Sequence, residues 1–170
     1  MAITTDEIFE LGDDQASSQY SISFPDKIPN SENTAGLVLR LRGAFKIPTE
    51  SWYTYDVFYK GMKVPKKGML QETEKMITVE IRLDQQWKVY DDLRAWAQLS
   101  YNQNTGESQG DYNTRIDLLF TAENTKQEAV RTIRFKKCGI KSMDISEFNY
   151  ETGDPTYITV ELIFNEFVPE

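Results

Sequence analysis

The stretch MITVEIRLDQQWKVYDDLRAWAQLSYN, residues 76–102, decides the fold. Ile77, Val79, Ile81 and Leu83 alternate with Thr78, Glu80 and Arg82, the period-two pattern of a strand with one buried face. Asp84 ends the alternation and suits a helix N-cap, because its carboxylate can accept a bond from a free N–H of the first turn. From Trp87 the spacing changes to that of a helix. Val89, Leu93 and Trp96 fall on one stripe, with Tyr90, Ala97 and Ser100 beside it. Lys88, Asp91, Asp92 and Arg94 take the other side, and Asn102-Gln103-Asn104-Thr105-Gly106 stops the helix. The unit reads strand, tight connection, helix. The Trp and Leu stripe must lie on a sheet, because no second long amphipathic helix is visible.

Upstream, the sequence predicts mostly strand. Tyr20, Ile22 and Phe24 alternate until Pro25 and Pro29. Leu37, Leu39 and Leu41 alternate with Val38, Arg40 and Arg42. Residues 52–64 are rich in Tyr, Phe and Val and read as a strand bent at Gly61. Pro65-Lys66-Lys67-Gly68 reads as a turn, and residues 69–75 return the chain to the strand at Met76. Residues 52–83 then form one long antiparallel hairpin.

Downstream, residues 103–113 form a polar loop with Gly106 and Gly110. Strands follow over 114–122, with Ile116, Leu118 and Phe120 inward, and over 130–137, with Ile133 and Phe135 inward. Residues 143–150 read as irregular or a short strand. Residues 157–167 close the chain as a strand in which Ile158, Val160, Leu162 and Phe164 share a face. Seven or so strands and one helix make the chain mainly β (α+β): an antiparallel sandwich or barrel with one packed helix. Residues 1–18 are acidic and read either as a frayed terminus or as an N-terminal arm, with Ile8, Phe9 and Leu11 the groups an arm would bury against a neighbouring subunit. Residues 19–170 form the β domain.

Composition narrows the chemistry. The 170 residues carry 27 acidic and 19 basic side chains, a net charge of −8, which repels nucleic acid and anionic lipid. No apolar run is long enough to cross a bilayer, and no signal peptide is visible, so synthesis in the cytoplasm without a membrane anchor is expected. The chain has no histidine and a single cysteine, Cys138. A Ser-His-Asp or Cys-His arrangement cannot be built, and a zinc site lacks its usual ligands. Cys138 follows an alternating strand and reads as a small buried hydrophobe. The carboxylate pairs Asp91/Asp92, Asp13/Asp14 and Glu72/Glu74 read as solvated surface, and Gly106-Glu107-Ser108-Gln109-Gly110 lacks the context of a phosphate loop. The basic clusters Arg40/Arg42 and Lys136/Lys137/Lys141 read as partners for acidic residues on adjacent strands. Neither catalysis nor a cofactor is expected. Surplus strands and long hairpins leave edges that template pairing with another copy.

The order of segments resembles the tail tube proteins of contractile-tailed bacteriophages, which are related in fold to the haemolysin-coregulated protein of type VI secretion. The matching pieces are Ile47-Pro48 ahead of an aromatic strand, Val64-Pro65-Lys66-Lys67-Gly68, the strand ending at Asp84, and the helix stripe Val89, Leu93 and Trp96. A strand through Gly139, an acidic turn and the terminal strand complete it, over roughly residues 37–170. The resemblance implies a structural virion protein that self-assembles as stacked hexameric rings. Hairpins from each subunit would build an inner β-barrel, and viral DNA would pass through it non-specifically during genome ejection into the host. Tail sheath, baseplate and tail terminator proteins are the implied partners, in a virion made in the host cytoplasm. Six copies at −8 would give a ring of roughly −48, which holds DNA off the wall. Glu72, Glu74 and Glu80 are candidate lumen charges. Pro65, Lys66 and Lys67, with the arm, are candidate contacts between subunits and rings. A baseplate or tube-initiator protein of the same fold is the alternative. A β-barrel binding a small ligand among its Trp and Tyr residues is a further one.

Overall fold

A computed structural model describes residues 19–29, 40–42, 45–71, 74–148 and 153–170. Expectations for the arm, including Ile8, Phe9 and Leu11, and those for Glu72, Leu37 and Leu39, lie outside the described residues. In chain order the elements are β1 (Tyr20–Ser23), β2 (Leu41–Arg42), β3 (Ser51–Tyr59), β4 (Met62–Gln71), β5 (Met76–Arg82), α1 (Lys88–Ser100), α2 (Asp111–Thr114), β6 (Ile116–Glu123), β7 (Ala129–Ile145), β8 (Tyr157–Ile163) and β9 (Glu166–Pro169). Among the described residues the fold is mainly antiparallel β with one helix longer than a single turn.

The opening stretch forms as its periodicity predicts. On β5, Ile77, Val79 and Ile81 are buried and Thr78 and Glu80 are exposed. Antiparallel β8 sets Leu162, Val160 and Ile158 directly opposite those three, so the pleat puts six branched side chains on one face. Full burial of each contributes about 1.5–3 kcal/mol. Leu83 N–H bonds the Thr156 carbonyl at 2.9 Å, and the chain then turns at Asp84. Trp87 sits just before α1 in the left-handed region, φ 58°. Asp84 caps the helix from three residues further back. Its carboxylate accepts the N–H groups of Val89 at 3.1 Å and Lys88 at 3.3 Å. Val89, Leu93 and Trp96 are buried as the stripe requires. They join one core cluster with Ile28, Leu118, Phe135, Cys138 and the β5–β8 face.

The main sheet runs β1-β6-β7-β8-β5-β2, with β9 also on β7. The seventeen residues of β7 belong to both of its wings. Phe135 faces Leu118 and Cys138 faces Ile116, so Lys136 and Lys137 oppose the single residue Asp117. This bulge bends the strand. Lys137 takes φ 57°, and its N–H bonds Asp117 Oδ1 at 3.1 Å. Beyond it β7 leaves β6, and Gly139–Ile145 pairs with β8. One wing is therefore β1, β6, the first half of β7 and β9. The other is the second half of β7, β8, β5 and β2.

Several expectations need correction. β7 continues to Ile145, so Met143, Asp144 and Ile145 end a long strand and the described residues 146–148 are irregular. The terminal strand is two strands, broken at Phe164-Asn165, where Asn165 N–H bonds the Lys136 carbonyl at 3.0 Å. Residues 111–114 are a short helix, and β6 starts at Ile116. The largest correction is the hairpin. Its turn is Lys60-Gly61, with φ 46° and 82°, and Pro65-Lys66-Lys67-Gly68 lies inside β4. β3 and β4 pair only with each other among the described residues, while β5 lies in the main sheet. Residues 52–83 are thus not one hairpin.

Candidate functional site

The β3–β4 hairpin follows from its sequence. Alternating Trp, Tyr, Thr, Val and Phe favour strand. Two successive positive φ angles at Lys60 and Gly61 make the two-residue turn whose twist matches the flanking strands. The register sets Tyr59 opposite Met62, Val57 opposite Val64 and Tyr55 opposite Lys66 on one face. The other face carries Phe58 opposite Lys63, Asp56 opposite Pro65 and Thr54 opposite Lys67. Pro65 is tolerated because both strands are edges, where a missing N–H breaks no ladder. Near the base a bulge lies between the Trp52–Leu70 and Thr54–Lys67 pairs. There Gly68 lies so close to β3 that an added Cβ would stand 3.2 Å from the Tyr53 carbonyl oxygen. Lys67 Nζ sits 3.7 Å from the centroid of the Trp52 ring, and Lys63 pairs with Asp56 at 2.7 Å.

Among the described residues almost nothing covers this ribbon. Phe58 is 72% exposed, Tyr59 and Met62 69% each and Met69 83%. A lone two-stranded ribbon is marginal in water, and an apolar one this exposed marks an interaction site. It also departs from the chain in charge. Lys60, Lys63, Lys66 and Lys67 against Asp56 give residues 51–71 a net +3 in a chain of −8, leaving −11 elsewhere.

A second surface is the outer face of the β2-β5-β8-β7 wing. Thr78 and Glu80 on β5 stand opposite Glu161 and Thr159 on β8, which stand opposite Ser142 and Asp144 on β7. Ser142 Oγ donates to Glu161 at 2.8 Å. Every one of these six positions is polar, three of them acidic. The wing ends on β2 at one side. At the other, the edge of β7 beyond Cys138 has no partner strand among the described residues.

Beside the hairpin base lies a cavity of about 440 Å³. Leu70, Phe164 and Phe167 give it an apolar wall, and Glu50, Glu166 and Lys75 are among its polar groups.

The expected site residues scatter across these surfaces. Glu80 lies on the polar wing face, and Glu74 is exposed between β4 and β5. Pro65, Lys66 and Lys67 sit in the middle of β4 rather than at a tip. Val89, Leu93 and Trp96 pack in the core. Part of the basic clusters meets acidic partners: Arg42 stands opposite Glu80 in the register, Lys136 meets Glu166 at 2.8 Å and Lys141 lies 3.9 Å from Glu161, whereas Lys137 Nζ sits over the Tyr112 ring. Of the aromatic residues invoked for a ligand barrel, Trp96 fills the core, while Trp52, Tyr53, Tyr55 and Tyr59 are exposed on the hairpin. Sequence reasoning passed over the true tip, Phe58 to Met62, and the cavity. The tip turns on a lysine at positive φ, which leaves no signal in the sequence, and the cavity joins residues far apart along the chain. Among the described residues no group of acidic or Cys side chains could hold a metal ion, and no helix is long and apolar enough to cross a membrane.

No family model and no curated protein matches the chain. Solved structures do. Over 91% of this chain and 95% of the other, it matches a chain in the cryo-EM structure of an extracellular contractile injection system, the PVC sheath/tube terminator in the extended state, with TM-score 0.58 and 14% identity. It matches a chain of the PVC sheath–tube complex over 99% of both chains, with TM-score 0.59 and 13% identity. It matches a chain of the anti-feeding prophage tube-terminating cap over 100% of this chain and 94% of the other, with TM-score 0.60 and 9% identity. At such identities the likeness is one of fold, and the chain has the fold of contractile injection system tube and terminator proteins.

Proposed function

We propose that this chain is a repeating subunit of the inner tube of a contractile tail or injection particle, with a structural rather than a catalytic task. The observation that carries this reading is the β2-β5-β8-β7 wing. One face is buried in the core, the centre of the other is polar, with Met76, Ile163 and Tyr157 at its ends, and among the described residues the wing ends in strands open to pairing. The β7 edge of one copy pairs with the β2 edge of the next, a heterologous contact that closes into a ring when the rotation allows. Six copies, as the resemblance implies, make a continuous barrel whose bore is lined by Thr78, Glu80, Ser142, Asp144, Thr159 and Glu161. This assigns the barrel to the wing rather than to the hairpin, and keeps Glu80 as a lumen charge. The acidic and hydroxyl lining lets a polyanion such as viral DNA slide without sticking.

The β3–β4 hairpin, with Lys66 and Lys67 on its strand, reaches from ring to ring. Residues 1–18 bury Ile8, Phe9 and Leu11 against a neighbour. Sheath, baseplate and terminator proteins are the outside partners, and the assembled particle is the working location. Negative-stain microscopy of the purified chain at high concentration, alone and with a tail baseplate, tests this. Rings or hollow tubes are expected; a strict monomer in both conditions overturns it. Likeness to terminator and cap chains favours a second reading, a ring at the end of a tube. Single rings that never elongate mark that case.

A further inference from the structure

We propose that Arg40 and Arg82, at one end of the outer face of the β2-β5-β8-β7 wing, form a binding site for a phosphate group. Strand pairing sets the two side by side: the Arg82 N–H bonds the Arg40 carbonyl at 2.9 Å. One position along, Leu41 stands opposite Ile81 on the core side, so the arginines share the outer face with Thr78 and Glu80. Tyr157 on β8 stands opposite Arg82, and beyond it Ser146 N–H bonds the Tyr157 carbonyl at 2.9 Å. The row Arg40–Arg82–Tyr157–Ser146 therefore carries two cations, two hydroxyls and no carboxylate. Like charges directly opposite each other repel. Among the described residues neither guanidinium has an ion-pair partner, and Arg82 Nε is buried without a hydrogen-bond partner. A buried donor of this kind calls for an acceptor. Arg115 also has an orphaned Nε, but its terminal nitrogens meet Asp111 and Asn165.

Phosphate answers both features of the row. Its oxygens accept from two guanidinium forks at once, and its charge cancels the repulsion between them. The nearby acids leave the row basic. Glu80, in the next row, stands opposite Arg42. Asp84 feels the Arg40 charge, but its carboxylate is taken up by the N–H groups of Val89 and Lys88. Repulsion from the rest of a chain at −8 is screened over about 8–10 Å at physiological salt. The site is whole within one chain. Only its place in a bore rests on the tube reading above. There six copies set six such rows at one mouth, where they hold the phosphates of a passing polyanion that the acidic centre of the bore repels.

Thermal melts of the unassembled chain test the site. Inorganic phosphate should raise the melting temperature above that in sodium chloride of equal ionic strength, by about 2–4 °C at about five times its dissociation constant. Arg40→Gln combined with Arg82→Gln should lose this response yet melt no lower than the parent in chloride, because the change removes a repulsion. No response in the parent, or an equal one in the double variant, overturns the site. So does a double variant that melts well below the parent in chloride, which would mark the arginines as structural. If that variant fails to fold, the Arg82 Nε–H signal of the parent decides: it should shift with phosphate and not with chloride, and a signal that ignores phosphate overturns the site. A short oligonucleotide without terminal phosphates separates the sources. Protection by it as well as by phosphate assigns the site to a nucleic-acid backbone, protection by phosphate alone to the free ion, and either supports the site. Tubes that form from a chain with no phosphate response leave the tube reading intact and overturn the site. A response in a chain that never forms rings or tubes does the reverse, and failure of both overturns both.

Discussion

Trp96 Nε1 donates a 2.8 Å hydrogen bond to the Thr114 carbonyl, and both residues are buried. Ser100 Oγ lies 3.1 Å from Thr114 Oγ1, so the end of α1 and the end of α2 are tied at two points just before β6 begins. Trp96 also meets Phe24 edge-on, with ring centroids 6.2 Å apart. Trp96→Phe keeps most of the apolar volume but leaves a buried carbonyl without its donor, a loss of about 1–3 kcal/mol. Trp96→Ala adds a cavity and should lose about 3–5 kcal/mol. Urea unfolding of the two variants checks the order, with the midpoint falling and the slope unchanged.

Asp84 makes the start of α1 sensitive to acid. Burial raises its carboxyl pKa, but the N–H bonds from Val89 and Lys88 and the nearby Arg40 charge outweigh that and hold it below its ordinary value. A depressed folded pKa stabilises the protein above the unfolded value, and the contribution is lost as pH falls through the folded one. The loss therefore belongs below about pH 4. Asp84→Ala should lose about 1 kcal/mol at neutral pH, as for other caps. It should also flatten the acid limb of a stability-against-pH curve, measured by thermal melts between acid and neutral buffers.

Cys138 is sealed under the bend of β7. Its thiol pKa is pushed up to about 12, first by burial and then by the Asp117 charge. Only thiolate reacts with disulfide or maleimide reagents, so the folded protein should stay unlabelled at neutral pH and label fully in denaturant. Labelling followed by mass spectrometry checks this. Rapid modification of the folded chain would mean that the β6–β7 bulge opens in solution.

The sequence disclosed most where one physical signal acted alone. β5 and β8 bury one face each, so a period of two named every core residue, and the Val89–Leu93–Trp96 stripe named the helix face in the same way. It misled where a local preference met a tertiary exemption. Pro65 reads as a turn residue, but a proline costs no ladder bond on an edge strand, and both strands of this ribbon are edges. The turn went instead to Lys60-Gly61, where the lysine takes a positive φ that sequence does not advertise. The bend in β7 was hidden for the same reason, because it rests on Lys137 at φ 57° and on a bond to Asp117 twenty residues away. The polar wing face, by contrast, was half visible. Thr78 and Glu80 were marked as outward, yet only the register with β8 and β7 shows that Glu161, Ser142 and Asp144 complete it.

The hairpin separates assembly from stability. Phe58, Tyr59 and Met62 touch little in the single chain and lie outside the core cluster. Replacing all three by Ser should leave monomer unfolding within about 0.5 kcal/mol of the parent for each change, the usual range for surface positions. Assembly should respond quite differently, because contacts buried at an interface centre carry most of its energy, and losing a few of them costs orders of magnitude in affinity. Val79→Ala provides the opposite control. Val79 is 4% exposed and faces Val160, so its truncation should lower the melting temperature, while the chains that remain folded still assemble. Melting curves set beside light scattering and electron microscopy on the same samples resolve the two effects. Equal loss of stability in both variants would show that the ribbon packs on its own body, with no part left for a neighbouring copy.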